Sequence, residues 1–418
     1  MPDSGRIPTL THHMKSTNVG FRRWWRPPRK TRDREEERRV TFLELFYDLV
    51  YVVLIAEIAH YFVANVDFRG IVGSTFLFVL VWLAWLNGTM YHELHGNNDV
   101  RTRVFTFAQM FTVAAMAVFA HAAFSEGSVG FALSFAAYQL VLTYLWWRTG
   151  VHDIDHRPLS QPYAATFLVS TILFASSALV SESWRFALWG IGFFLSVTIP
   201  IAMFFVRRRD PRVREELERS WKTTPSLVER FDLFTIIVLG EVIVGVVRGV
   251  AAHHHLDWTV GVTAALGMLI AIGLWWLYFD FVSHRLPTPR NTVAWVYLHL
   301  PATMGIAASG AATLSVVETA GELLAQEVRW LLVVTIALAM LAIAVLMKTL
   351  KLPDQHRRLY RTAARVTFVA AVVIVALGFS GLATIPLLVA LNLLMLAPVF
   401  WGLKVWIDVF RGEEQSRS

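Results

Sequence analysis

Trp330-Leu-Leu-Val-Val-Thr-Ile-Ala-Leu-Ala-Met-Leu-Ala-Ile-Ala-Val-Leu-Met347 runs for eighteen residues without one charged side chain. A helix rises 1.5 Å per residue, so about 20 such residues cross the roughly 30 Å of hydrocarbon in a bilayer. Ile71–Met90 is a second run of this kind, and further ones follow along the chain. No single soluble core hides so many. Composition agrees: 56% of the 418 residues are hydrophobic and 17% charged, against about 45–50% and about 25% in soluble domains. The reading is an all-α polytopic membrane protein.

The apolar runs predict about twelve transmembrane helices, near 41–64, 71–90, 104–124, 129–148, 163–181, 184–206, 226–248, 258–283, 292–314, 329–347, 362–379 and 382–408. Basic residues then order the loops. Segment 21–40 carries nine Lys or Arg, 207–225 seven and 348–365 six, while the other face has Arg69, Arg185, Arg248 and Arg329. The positive-inside rule puts both termini in the cytoplasm, and an even count of spans is needed to keep that alternation. The first 40 residues lack the apolar stretch and cleavage site of a signal peptide. Arg22-Arg23 is followed by Trp24, Trp25 and Arg26, so this tail is expected to rest on anionic lipid. The net charge of +7 is spread between spans, which argues against nucleic acid as a partner. With no cysteine, disulfides, Cys-ligated zinc and iron–sulfur clusters are excluded.

The chain also repeats itself. Asp48 and Glu57 return as Asp232 and Glu241, both at a shift of 184. Thr41-x-x-Glu44 and Ser226-x-x-Glu229 both have the form of a capping box, in which the hydroxyl and the Glu satisfy amides of the first turn. Trp85 aligns with Trp276, His92 with His284 and Pro200 with Pro398. The expected organisation is a basic tail (1–40), a six-helix repeat (41–206), a basic linker (207–225), a second six-helix repeat (226–410) and a short tail (411–418). An even number of helices per repeat makes the halves parallel copies.

Four acids inside spans are the sharpest feature. A carboxylate at the bilayer centre costs about 2.5–3.5 kcal/mol on insertion scales, and intramembrane acids are functional by default. Asp48, Glu57, Asp232 and Glu241, with His60 one turn beyond Glu57, are therefore candidates for transport or proton handling. They could also serve as fixed structural hydrogen-bonding groups. Glu57 lies nine residues past Asp48, half a turn away at about 100° per residue. Helices polar on two faces predict that the first and seventh spans are enclosed. Glu44, Glu229, Asp280 and His299 are secondary polar candidates. Glu44 and Glu229 are explained by capping alone, and His299 by a bond to a carbonyl near the break that Pro301 makes. His92-x-x-His95 and His152-Asp-Ile-Asp-His156 are weak metal-ligand pairs. His253-His254-His255 reads as a solvated loop. No phosphate loop, nucleophile elbow or dinucleotide fingerprint is present, and no cofactor is expected.

Arg39-Val-Thr-Phe-Leu-Glu-Leu-Phe-Tyr-Asp48-Leu-Val-Tyr-Val resembles the opening signature of the bacterial low temperature requirement A (LtrA) family. Glu229-Arg-Phe-Asp-Leu-Phe-Thr-Ile-Ile-Val-Leu-Gly-Glu241 is a second match, and Trp275-Trp276-Leu-Tyr-Phe-Asp280 with Tyr297-Leu-His299-Leu-Pro301 a third. The family usually has Gly or a similar residue where Asp232 stands, and often Ser at Val242. The resemblance implies a protein of the bacterial inner membrane and supplies no reaction.

The expected function is membrane transport, proton-coupled through the acids of the first and seventh helices, rather than enzymatic catalysis. A passive cation channel is one alternative. An intramembrane enzyme or regulator using His92/His95 and Asp280/His284 is another. Expected partners are the bilayer, with anionic lipid at the basic face, a small solute or ion, and further copies of the chain.

Overall fold

The computed structural model describes residues 26–30, 38–207 and 210–417. Arg22, Arg23, Trp24 and Trp25 of the expected membrane-surface tail lie outside them. Among the described residues the chain is all-α, with thirteen helices, one 3-10 turn (Pro289–Asn291) and no strand. In chain order the helices are α1 Phe42–Ala64, α2 Phe68–His95, α3 Val100–Ala120, α4 Ser128–His152, α5 Arg157–Ser177, α6 Glu182–Arg207, α7 Pro211–Ser220, α8 Pro225–Ala251, α9 Trp258–Phe281, α10 Thr292–Glu318, α11 Gln326–Thr349, α12 Asp354–Leu377 and α13 Thr384–Arg417. Nine of these, α2–α4 and α8–α13, are long and apolar enough to cross a membrane. The chain is a multi-pass membrane protein.

Local chemistry explains several helix ends and corrects others. Thr41 caps α1 as expected: its Oγ1 accepts from the Glu44 amide, and Glu44 accepts in return from the Thr41 amide at 2.9 Å. The matching box at α8 does not form. Thr224, not Ser226, is the cap, and its hydroxyl accepts from the Leu227 amide at 3.2 Å. Pro225 follows at the first helical position, where a missing N–H costs nothing. Three residues past Thr224 stands Leu227, which cannot return a bond, and Glu229 is left exposed. The expected linker is also not all loop. Residues 211–220 form α7, which buries Val213, Glu216 and Leu217 and pairs Arg214 with Glu218 and Arg219 with Glu215 on its open side. At the other end, α13 continues through Arg417, past the expected end near 408.

The described residues gather into two compact units. One takes in 26–30, 88–112 and 136–220. Within it α5 packs along α6. The 26–30 segment is tied to the α2–α3 turn: the Arg26 amide donates to Asp99 at 2.8 Å, and Asn97 donates to the Pro27 carbonyl at 2.7 Å.

The other unit takes in 38–87, 113–135 and 221–417. Its centre is α10, which packs on α8, α11 and α1, while α1 also packs on α8. The spanning windows of α10 and α11 are each 72% buried, those of α12 and α13 39%, so the first pair is the core and the second its rim. Association in lipid lacks a hydrophobic drive and depends on close packing of small residues. Gly245-x-x-x-Gly249 of α8 supplies this against α10. A Cβ on Gly245 would fall on the Gly310 carbonyl oxygen, and one on Gly249 would come within 2.6 Å of Val317. One on Gly310 would meet the Glu241 backbone at 2.7 Å.

Gly245→Leu should therefore be poorly tolerated, losing at least the roughly 1–3 kcal/mol of an overpacked core. Gly240→Ala on the same helix, where nothing lies within 4 Å of the added carbon, should be near neutral. Thermal aggregation followed by size-exclusion in detergent distinguishes the two; equal melting points would contradict the close crossing.

Candidate functional site

Asp48 sits on the inner face of α1 with Tyr47, Tyr51, Leu54 and Ile58, and is 1% exposed. Its Oδ1 accepts from two donors. One is the Trp85 indole of α2 at 2.8 Å, the other the Arg230 guanidinium of α8 at 2.7 Å. Arg230 is as deeply buried, lies 5.7 Å from the Tyr47 ring centre, and reaches Glu44 at 3.5 Å. Arg38 donates to Glu44 from the chain just before α1. Among the described residues, two acids thus meet two guanidiniums. Trp85 is held for its role by stacking on Phe234, 4.1 Å between ring centres, and by the edge of Phe231 at 5.1 Å. Asp48 Oδ2 is buried with no hydrogen-bond partner among the described residues.

Asp232 makes a second network. Its Oδ2 accepts from the Ser283 hydroxyl at 2.7 Å and the His284 amide at 3.1 Å. His284 has φ +59°, a left-handed conformation that turns the chain sharply past the end of α9 and aims this amide at the acid. Its imidazole Nδ1 lies 3.5 Å from Asp232, yet the side chain is 80% exposed. Asp232 Oδ1 accepts from Tyr278 at 3.0 Å, and the Tyr278 oxygen is 3.0 Å from His299 Nε2. His299 is fully buried and its Nδ1 is 2.7 Å from the Trp295 carbonyl. A carbonyl can only accept, so Nδ1 carries a hydrogen. With His299 neutral and Asp232 ionised, the single Tyr278 hydrogen faces two acceptors. One further proton, on Asp232 or on His299 Nε2, completes the chain. The two placements differ only by a shift of hydrogens through the Tyr278 oxygen.

The remaining acids stand apart from both networks. Glu57 Oε2 lies 3.8 Å from His60 Nδ1, and Arg248 at the end of α8 donates to the same imidazole. Glu241 is buried on α8 within electrostatic reach of Arg248 and Glu57. These four acids are therefore distributed over three clusters. The expected enclosure of α1 and α8 is corrected too. Phe42, Phe46, Leu49 and Val53 are exposed along α1, as are Ile236, Ile243 and Val247 on α8. Acids on two faces do not enclose a helix here, because each finds its own partner or groove and leaves apolar residues exposed.

Of the secondary candidates, Glu44 does more than cap, and His299 bonds the Trp295 carbonyl, not the one that Pro301 leaves open, and adds Tyr278. Asp280 is exposed. His92 Nε2 turns to Gln109 at 3.1 Å and His95 Nδ1 to the Arg29 carbonyl at 2.9 Å, so the pair does not converge on one point. Among the described residues no three His, Cys, Asp or Glu side chains cluster as metal ligands. His156 instead bonds Glu216 of α7 at 2.8 Å. Arg230 and Tyr278 were not singled out by sequence reasoning. Asp232 takes Tyr278, two positions beyond the Trp276 that aligns with Trp85.

These features define a multi-pass helical membrane protein with charged and proton-bearing side chains held among its spans. A family model described as bacterial low temperature requirement A protein (LtrA) matches residues 39–401, and the chain belongs to that family. It is similar to a Rhizobium meliloti (strain 1021) protein described as uncharacterized protein RA0937, with 25% identity over 289 residues, 66% of this chain and 69% of that one.

Removing one partner of a buried ion pair costs about 3–5 kcal/mol, because the other charge is left uncompensated. Arg230→Met should destabilise by that order, and Asp48→Asn by less, since Trp85 can still donate. The double variant should be more stable than the sum of the two losses implies, by roughly 0.5–3 kcal/mol. Unfolding in mixed detergent measures all three; strict additivity would deny the pair.

Proposed function

We propose that the protein is a proton-coupled membrane transporter. The observation that carries this is the Asp232–Tyr278–His299 chain, which lacks one hydrogen for its acceptors and ends on exposed His284. A site of this kind takes up and releases a proton with only a small shift of hydrogens, and buried acid–histidine chains serve as relays in pumps and transporters. Asp48 supports the reading as a fixed anion, since its Oδ1 keeps Arg230 in place. In this scheme Asp48 and Arg230 couple α1 to α8, the leading helices of the two proposed six-helix repeats. Glu57, His60 and Glu241 act at the other ends of the same helices, on the solute side of the coupling.

The proposed topology has twelve spans in two parallel repeats (41–206 and 226–410), with both termini cytoplasmic. The chain has no cysteine, so single substitutions report without a background. In intact cells His254→Cys and Glu322→Cys should react with an impermeant maleimide. Arg219→Cys and His356→Cys should react only after permeabilisation. Labelling of His356→Cys in intact cells would reverse or break the arrangement.

Transport itself is tested in proteoliposomes holding a pH dye and challenged with a panel of small cations and amines. Native protein should couple solute entry to proton movement. Tyr278→Phe, which cuts the chain, and the Glu57→Gln/Glu241→Gln pair should lower coupled flux at least about tenfold, about 1.4 kcal/mol at the limiting step. Unchanged flux and pH profile in these folded variants would defeat the reading. A steady conductance with no proton movement would point to a channel.

A further inference from the structure

An open groove runs along α1, floored by small residues of α3. Its cavity is about 520 Å³ and is lined by Phe46, Leu49, Val53 and Glu57 with Ala114 and Ala117 among others. Phe46, Leu49, Val53 and Glu57 follow one another at three or four residues, so they share one face of the helix. From Phe46 to Glu57 that face extends about 16 Å at 1.5 Å per residue. The volume falls inside the roughly 300–1,000 Å³ of small-molecule sites, which are mostly apolar with a few placed polar groups. Here Glu57 is the sole ionisable residue of the lining.

The charges around Glu57 decide what kind of ligand suits it. His60 lies beside it, His121 is within electrostatic reach of His60, and Arg248 and Glu241 come from α8. Arg248 lies against the His60 imidazole. Arg248 is shared between His60 and Glu241, no cationic side chain among the described residues lines the groove, and Glu57 alone presents a charge to its apolar wall. A lipid acyl chain would fill the volume and leave the carboxylate unmatched. An inorganic cation would match the charge and leave the aromatic and aliphatic wall uncovered.

We infer that this groove is a binding site for an amphipathic organic cation, with the charged head at Glu57 and the apolar body along Leu49, Val53 and Phe46. This rests on the transport reading only in treating the ligand as the solute carried; the binding site stands without it.

The test is equilibrium binding of radiolabelled tetraphenylphosphonium to the full-length protein in phosphatidylcholine nanodiscs, where there is no gradient to drive flux. Native protein should bind about one cation per chain, saturably. Glu57→Gln should weaken binding about tenfold or more, about 1.4 kcal/mol. Glu57→Asp should retain most of it. Ala117→Trp should close the groove and abolish binding. Matching elution profiles verify that the variants are folded, and Glu322→Gln, in an exposed turn, should bind as native does. Neutral triphenylphosphine oxide should show no dependence on Glu57. No saturable binding to native protein, or equal affinity in Glu57→Gln, overturns the inference. So does Val53→Cys cross-linking into a dimer that excludes the cation, which would make a second copy the occupant. Binding without flux would sink the transport reading and leave the site. Proton-coupled flux of other solutes, with no cation bound, would do the reverse.

Discussion

Hydrocarbon does not tolerate net charge, and that constraint is met at Arg230. A guanidinium cannot give up its proton in a protein, so its place in α8 requires carboxylates at fixed distance. Asp48 and Glu44 provide them from α1, and Arg38 pairs with Glu44 in turn. Much else follows from this match. Trp85 must stand where its indole reaches Asp48, which sets how α2 meets α1. Phe231 and Phe234 must flank that indole, which sets the facing side of α8. The inner face of α1 is thereby specified by electrostatics before packing refines it. The desolvation of such a pair consumes most of its attraction, so its contribution is to register rather than to net stability.

Packing then acts where charge is absent. Between the polar clusters, α8 and α10 approach so closely at Gly245, Gly249 and Gly310 that backbone meets backbone. Dispersion between densely packed atoms replaces the hydrophobic drive that lipid removes. Glu241 lies at this crossing, its own backbone against Gly310. An acid held there cannot move far, whereas Glu57, on the opposite side of its helix from Asp48, borders open space. Glu57 and Glu241, 184 residues apart, thus have two different environments.

Much of the fold was legible because hydropathy is a local property. Helix α4 begins within a residue and α8 ends within three of the positions read from sequence. The Thr41–Glu44 cap was legible for the same reason. What failed involved a choice between nearby residues. Thr224 outcompetes Ser226 as the α8 cap because Pro225 suits the first turn, a contest invisible to a motif of fixed spacing. The acids were found, but not their partners, since pairing crosses helices far apart in sequence. One signal was present: Arg230 stands two residues before Asp232, and a cation so placed in a span needs an anion. Trp85 reaches Asp48 with its indole, whereas Asp232 takes Tyr278, two positions beyond Trp276.

The two leading acids therefore differ in kind although they occupy matching places. Asp48 is answered by a permanent cation, so its ionised form is the one the site is built around. Asp232 is answered by hydroxyls, an amide and two imidazoles, none of which carries a permanent charge. Such a set is as well suited to a shared proton as to an anion. If the halves descend from one repeat, the divergence at Phe46 and Arg230, equivalent at the shift of 184, is the step that separated them. On that descent, a cation at that position in the second half fixes the acid of the first, while the acid beside it stands without a fixed counter-charge.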